Sequence, residues 1–305
     1  MSFRGAKVRA AGSSSSGPGR PGEAARVAGE RGHAAVVFEA AGQAGGQVRL
    51  TAALKRRREV LGLVDWRLRE CERHGVAFRY DRYAEADDVL AEEPDIVVVA
   101  TGGLPDTDFL DAGQELATTS WDILAGTVRP AANVILYDDN GAHPGMTAAE
   151  FIAQAGSALE VVTPERTLAP DVGGTSFPAY FKALNRAGAA VTINLRLERL
   201  ERLARRGNRI VATFFDEYGR RHVEKEADQV VVEHGTVPLD DLYFALKPGS
   251  VNLGEVDHAA LLSGRPQTVV RNPEGRYRLF RIGDAVSSRN IHAAVFDAIR
   301  LMKDI

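Results

Sequence analysis

Apolar positions along this chain fall into two kinds of run. Ala34–Phe38, Asp95–Ala100, Val134–Tyr137 and Gln229–Glu233 are short and almost continuously apolar, as strands are when both faces of their sheet are covered. Between them lie longer segments, Ala24–Arg31, Leu61–His74, Thr147–Ala155 and Phe177–Ala187, with apolar residues at helical spacing. Gly32 is placed to stop the first helix, and Thr101-Gly102-Gly103 closes the most apolar strand. Ala77–Tyr80, Leu159–Thr163 and Ala190–Leu195 read as further strands, and Arg209–Phe215 with Arg221–Glu226 as a hairpin turning at Tyr218-Gly219. The strand–loop–helix–strand theme of the first hundred residues starts again near Asn133, which predicts a duplicated nucleotide-binding architecture. The expected fold class is α/β: two Rossmann-like three-layer dinucleotide-binding domains, the second inserted into the first. The expected bounds are 1–115 with 229–305 for the first domain and 116–228 for the second.

The chemistry sits where these strands end. Glu39 closes the second strand, where a dinucleotide fold binds the adenosine ribose hydroxyls about 20 residues after a glycine loop. Near the C-terminus, Arg278-Leu279-Phe280 delivers Gly283-Asp284 to a strand end, and the helix Ile291–Lys303 follows. An aspartate there can accept a hydrogen bond from a sugar or polyol hydroxyl, and the helix start presents free N–H groups and partial positive charge. His292 opens that helix beside Ala293-Ala294, either as a packing residue or as one placed near a flavin ring. The glycine loop itself departs from expectation. Lys7–Ala11 reads as a poor strand interrupted by Arg9, and Gly12 to Gly22 holds four consecutive serines but no G-x-G-x-x-G. Gly17 and Gly22 stand in loosely, Pro21 falls where a helix should begin, and taken alone the segment reads as a flexible Gly/Ser linker. The second unit's loop, Asp138 to Gly145, has two glycines and two adjacent acids that would repel a pyrophosphate; Arg166, beyond the second strand, reads as a 2′-phosphate contact for NAD(P) or as a plain surface residue, and His143 as a proton donor or an exposed loop histidine. Arg56-Arg57-Arg58 reads as a solvated basic face or a contact for an acidic partner.

Composition narrows the class. With 305 residues, 45% hydrophobic and 26% charged, the chain is sized for about two soluble domains. A formal charge of −3 gives no broad footprint for nucleic acid, and no apolar run reaches the roughly 20 residues of a membrane span. Met1 to Lys7 has no apolar signal region, so a cytoplasmic location is expected. Cys71 is the single cysteine, which excludes a disulfide, a redox Cys-x-x-Cys pair and a four-cysteine cluster within this chain. No metal site and no catalytic residue is expected.

Val36-Val37-Phe38-Glu39, Gly45-Gly46-Gln47, Val99-Ala100-Thr101-Gly102-Gly103 and Ile282-Gly283-Asp284 resemble the C-terminal FAD/NAD(P)-binding half of multidomain NADH:flavin oxidoreductases, the old yellow enzyme and trimethylamine dehydrogenase relatives. Thr118 to Leu124, Leu136 to Gly141, Pro170 to Gly174 and Arg281–Ala294 look most like the demethylases for N-methylproline or dimethylglycine. The resemblance implies that Glu39 holds the adenosine ribose, Gly45 and Gly46 line the pyrophosphate with Gln47 beside them, Thr101 and Gly102 pack beside the nucleotide, and Asp284 next to Gly283 meets the ribitol. It implies FAD, or ADP in its place. Amine oxidation in the family belongs to an N-terminal barrel carrying FMN and usually an iron–sulfur cluster, absent from this sequence, so an FMN-barrel domain or subunit or another electron-transfer partner is expected. Two other readings stay open: a stand-alone NAD(P)H-dependent flavin reductase, and a non-catalytic nucleotide-binding scaffold.

Overall fold

The computed structural model describes residues 7–12, 21–204, 207–303 and 305. These divide into two compact units. The first comprises the described residues up to Ala52, Glu59–Leu104 and Thr236–Ile305; the second comprises Ala53–Arg58 and Pro105–Gly235.

Five parallel strands form the sheet of the first unit, in the order Arg278–Arg281, Ile96–Val99, Lys7–Gly12, Ala34–Glu39, Ala77–Arg79. Successive side chains of a strand point to opposite faces, and here both faces are covered. Ile96 and Val98 join Val8, Ala10, Val37 and Phe280 against the helices Pro21–Glu30 and Ile291–Lys303. Val97 and Val99 join Phe38, Leu279, Tyr243 and Leu246 on the other side. Ala24, Ala25 and Ala28 are fully buried and let the first helix lie close to the sheet.

Two expectations change here. Lys7–Gly12 is the central strand of the sheet, because Val8 and Ala10 alternate onto the covered face while its backbone pairs on both sides. Pro21 is the first residue of its helix; its fixed φ and missing N–H cost nothing at that position. Part of the presumed linker is therefore regular structure at each end, and Gly17 lies outside the described residues.

The second unit has its own parallel sheet, in the order Ala117–Thr119, Gln229–Glu233, Asn133–Asp138, Ala158–Val162, Ala190–Thr192. An antiparallel sheet of Leu195–Leu203, Arg209–Asp216 and Arg221–Ala227 accompanies it. The expected hairpin is present, its turn held by the Gly219 N–H donating to Asp216 Oδ1 at 2.8 Å. Gln229–Glu233, placed in the first domain on sequence, instead pairs with Asn133–Asp138 in the second sheet, and residues 105–115 also fall in the second unit. A fully buried strand carries no mark of which sheet it joins. Among the described residues no helix is long and apolar enough to cross a membrane.

Candidate nucleotide-binding site

In the first unit the strand order reverses direction at Lys7–Gly12: later strands in the chain lie on one side of it, then on the other. The crevice outside the carboxyl ends at such a switch point is where open α/β sheets take ligands. Gly12, Glu39, Val99 and Arg281 end their strands along this edge, with Gly12 paired to Glu39 and Val99 to Arg281 in register.

Glu39 is the most informative group there. Its side chain is only 2% exposed, and Oε1 accepts the Ala41 N–H at 3.1 Å. Among the described residues no lysine or arginine forms a salt bridge with it. Burial without a counter-charge pushes the carboxyl from an ordinary 4.5 up to about 7. An acid held like this gains from any hydroxyl that donates to it.

Two strands beyond the central one, the Gly283–Ala285 turn follows Arg278–Arg281. Gly283 has φ 63°, which favours glycine, and its N–H donates to Asp297 Oδ2 at 3.2 Å. Asp284 is buried; it accepts the Arg289 N–H on Oδ1 at 3.0 Å and the Gln47 side-chain amide on Oδ2 at 3.1 Å. That last bond joins residues 237 apart in sequence and ties the helix Gly46–Thr51 to the C-terminal turn. The preceding Gly45 (φ 146°) and Gly46 (φ 39°) both take backbone conformations that side chains resist. Thr101 donates its hydroxyl to the Leu239 carbonyl, and the Gly102 carbonyl accepts the Leu239 N–H at 3.0 Å. His292 is exposed and its ring lies parallel to Phe296 at 6.4 Å, while the Ala293 N–H is capped by Asn290 Oδ1 at 2.9 Å. Gly22 is buried in the first turn of its helix, its carbonyl accepting from Cys71 Sγ at 3.4 Å. The structure thus brings Gln47 and Asp284 into contact, lines Glu39 along the same sheet edge, and leaves His292 facing outward.

The supports of this edge were not apparent from sequence. Glu23, in the first turn of the Pro21–Glu30 helix, accepts Arg67 Nε at 2.7 Å and Arg26 Nη2 at 2.8 Å. Arg281 donates to Asp240 at 2.6 Å with its guanidinium 4.6 Å from the Tyr243 ring centroid. The i,i+3 spacing of Glu23 and Arg26 was available as a signal; Arg67 was hidden in an ordinary amphipathic pattern.

No family model matches the chain. Among curated proteins, a probable N-methylproline demethylase of Rhizobium meliloti (strain 1021) is 51% identical over 283 residues, which is 93% of this chain and 41% of that protein. The N,N-dimethylglycine/sarcosine dehydrogenase of Chromohalobacter salexigens is 40% identical over 299 residues (94% and 42%). A multifunctional alkene reductase/demethylase OYE of Caballeronia cordobensis is 39% identical over 279 residues (92% and 41%). The chain is a relative of one part of these longer enzymes. It spans about two fifths of their length. Histamine dehydrogenase from Rhizobium sp. 4-9 matches with a TM-score of 0.79 at 20% identity, over 99% of this chain and 44% of that one. Thioredoxin reductase of T. acidophilum matches with a TM-score of 0.62 at 14% identity, over 98% and 97%. These structural likenesses show the fold, a Rossmann-like pair of FAD/NAD(P)-binding type.

The strand ends of the second unit carry a different set. Asp138 and Glu233 are paired in register and buried, and both carboxyls are raised, first by desolvation. Asp139 pairs with His234 at 2.6 Å, and this contact raises the imidazole pKa. His143 is part-buried, its Nδ1 2.8 Å from Arg57 and 3.1 Å from the Tyr180 hydroxyl; burial lowers its pKa. In the basic run Arg56 and Arg58 are exposed, as a solvated face requires, yet Arg56 also donates through two nitrogens to the buried Glu150 carboxylate and Arg57 turns to Tyr180. Arg166 is exposed. Among the described residues no cluster of His, Cys, Asp or Glu has a metal-binding arrangement.

Proposed function

We propose that this chain is the FAD- or ADP-binding part of a flavin-dependent oxidoreductase of the N-methyl amine demethylase type. Glu39 carries the reading: a buried acid that no cation among the described residues pairs with, at the end of the second strand beside a switch point, suits the two hydroxyls of an adenosine ribose. The names of the similar enzymes supply the reaction class, demethylation or dehydrogenation of an N-methyl amine. Glu39 would accept from the ribose, Gly45 and Gly46 would border the pyrophosphate, and Asp284, already fixed by Gln47 and Arg289, would meet the ribitol. Adjacent strands lie about 4.8 Å apart, so the ends of the Glu39 and Arg281 strands are separated by roughly 14 Å across the sheet, a span suited to a ligand with polar groups at both ends. Thr101 and Gly102, held to the Leu239 backbone, would wall the nucleotide from one side. Bound FAD would supply an electron acceptor and donor; ADP in its place would leave a supporting role. Chemistry on the amine is assigned to an FMN-bearing barrel, either elsewhere in the same polypeptide or in a partner.

The test is a visible spectrum of the purified chain with thermal shifts on adding FAD and ADP. A ligand that binds only the folded state at one hundred times its Kd stabilises by about 2.7 kcal/mol. A yellow protein or a clear FAD shift supports the electron-transfer role, and an ADP shift without colour supports the structural one. No shift with either ligand refutes nucleotide binding.

A further inference from the structure

The second unit repeats the architecture that would take a nicotinamide dinucleotide, so its residues can be tested for fit. In such a site the backbone amides after the first strand, and the first turn of the following helix, face the pyrophosphate, and glycines leave room for it. Here the strand Asn133–Asp138 is followed by the helix His143–Gln154. The Asp138 side chain is 1% exposed and lies directly against Gly145 in the first turn of that helix; a Cβ on Gly145 would overlap the carboxyl. The Gly141 N–H, the type of amide a phosphate would use, already donates to Asp138 Oδ1 at 3.0 Å. Oδ2 has no hydrogen-bond partner among the described residues. Beside it, Glu233 accepts from the Ser120 hydroxyl, from Asn140 Nδ2 at 3.0 Å and from the Gly235 N–H at 3.2 Å.

We infer that Asp138 closes the second unit to nicotinamide dinucleotides. Its carboxyl fills the gap between strand end and helix start, and it takes the amide hydrogen bond that a pyrophosphate would need. Desolvation, and then the neighbouring Glu233, raise the Asp138 carboxyl well above the usual carboxylate range, which lowers the cost of holding the plug in the fold. Reducing equivalents therefore do not enter through NAD(P)H bound at this unit, which sets the chain apart from a stand-alone NAD(P)H-dependent reductase. Closure of the second unit stands or falls independently of FAD or ADP binding to the first.

The whole chain, given one equivalent of FAD to fill the first unit and no free ADP, is titrated with NADH and with NADPH while nicotinamide fluorescence is followed. Wild type and Asp138→Asn, which keeps the bulk, are expected to show no binding up to about 1 mM. Asp138→Gly and the milder Asp138→Ala are expected to bind at least about tenfold more tightly than wild type. Saturable wild-type binding below about 1 mM would overturn the inference. So would folded Asp138→Gly and Asp138→Ala proteins that bind no better than wild type. Should neither variant fold, the wild-type titration decides alone: saturable binding overturns closure and its absence upholds it. A separate ADP titration reads the first unit, so a failure there is seen as such.

Discussion

The unusual state of Glu39 makes nucleotide affinity depend on pH in a calculable way. Burial raises this carboxyl from 4.5 to about 7 in the ligand-free chain. A ribose diol donates to the ionised form, so the binding-competent fraction is about 0.9 at pH 8 and about 0.1 at pH 6, and apparent affinity scales with that fraction. FAD should therefore bind about tenfold more weakly at pH 6 than at pH 8, a difference of about 1.4 kcal/mol. FAD is the better probe, since its pyrophosphate is a diester and has no terminal phosphate to titrate near neutrality. Flavin fluorescence titrations at pH 6, 7 and 8 measure the slope. Glu39→Gln should flatten it and, by replacing charge-assisted hydrogen bonds, weaken binding at pH 8 by about 1.5–3 kcal/mol. Stability without ligand should run the opposite way. The folded pKa lies above the unfolded one, so the folded state holds the extra proton between pH 4.5 and about 7, and stability falls as pH rises through that window. The fall is up to about 3 kcal/mol at 1.36 kcal/mol per pKa unit, and bound FAD should offset it. An FAD affinity that is level from pH 6 to 8 in the wild type would refute this account of Glu39. A Glu39→Gln variant that keeps the wild-type slope would refute it equally.

Three further outcomes follow from the packing around the site. Arg67→Met leaves one oxygen of the buried Glu23 carboxylate without its partner and should lower unfolding free energy by about 3 kcal/mol; a urea midpoint within error of wild type would show that Arg26 suffices. Thr119 and Asp122 form a reciprocal capping box at the start of the helix Ser120–Ala125, so Thr119→Ala should cost about 1 kcal/mol and Thr119→Ser little, measured by the same unfolding curves. Burial pushes the Cys71 thiol up to about 12, so a thiol reagent at pH 8 should react slowly with the native chain and rapidly in urea; fast native labelling would mean that the helix Leu61–Arg73 opens readily.

Legibility in the sequence followed the strength of each segment's hydrophobic pattern. Ile96–Val99 was unmistakable because all four side chains are buried, and its covered faces placed Thr101 and Gly102 at a sheet edge. Glu39 and Asp284 were legible for the same reason, each following an apolar strand. Lys7–Gly12 was obscure because its inward residues are as small as Ala10, and an arginine in mid-strand reads as an interruption although pairing on both sides fixes the strand. The strand Leu195–Leu203 is hidden in the residue pattern beyond its first residue. In Leu-Arg-Leu-Glu-Arg-Leu-Glu-Arg-Leu the later leucines are three apart, and a register shift between Leu197 and Arg199 breaks the two-residue alternation. Gln229–Glu233 is legible as a strand but its sheet is not, since partner choice for a fully buried strand is tertiary information. Contacts such as Gln47 with Asp284, or Arg67 with Glu23, join segments far apart in the chain, and a single sequence holds no record of them.

The two units show why residue type at a strand end does not by itself assign a role. Each places a buried carboxyl at the carboxyl edge of a parallel sheet, and each carboxyl is raised mainly by desolvation. Glu39 ends the second strand of its unit, beside the crevice, and accepts the nearby Ala41 amide. Asp138 ends the central strand of its sheet, where the chain must turn into the helix that would cradle a phosphate. A side chain there competes with the phosphate for both space and the Gly141 amide. On the proposed reading, the same chemical group would accept a ribose from one strand and block a pyrophosphate from the other. Gly145 makes the blockade possible, because any side chain at that position would force the Asp138 carboxyl out of the gap. Asp138 and Gly145 act as one unit, and removing the carboxyl opens space only while the glycine keeps the helix start bare.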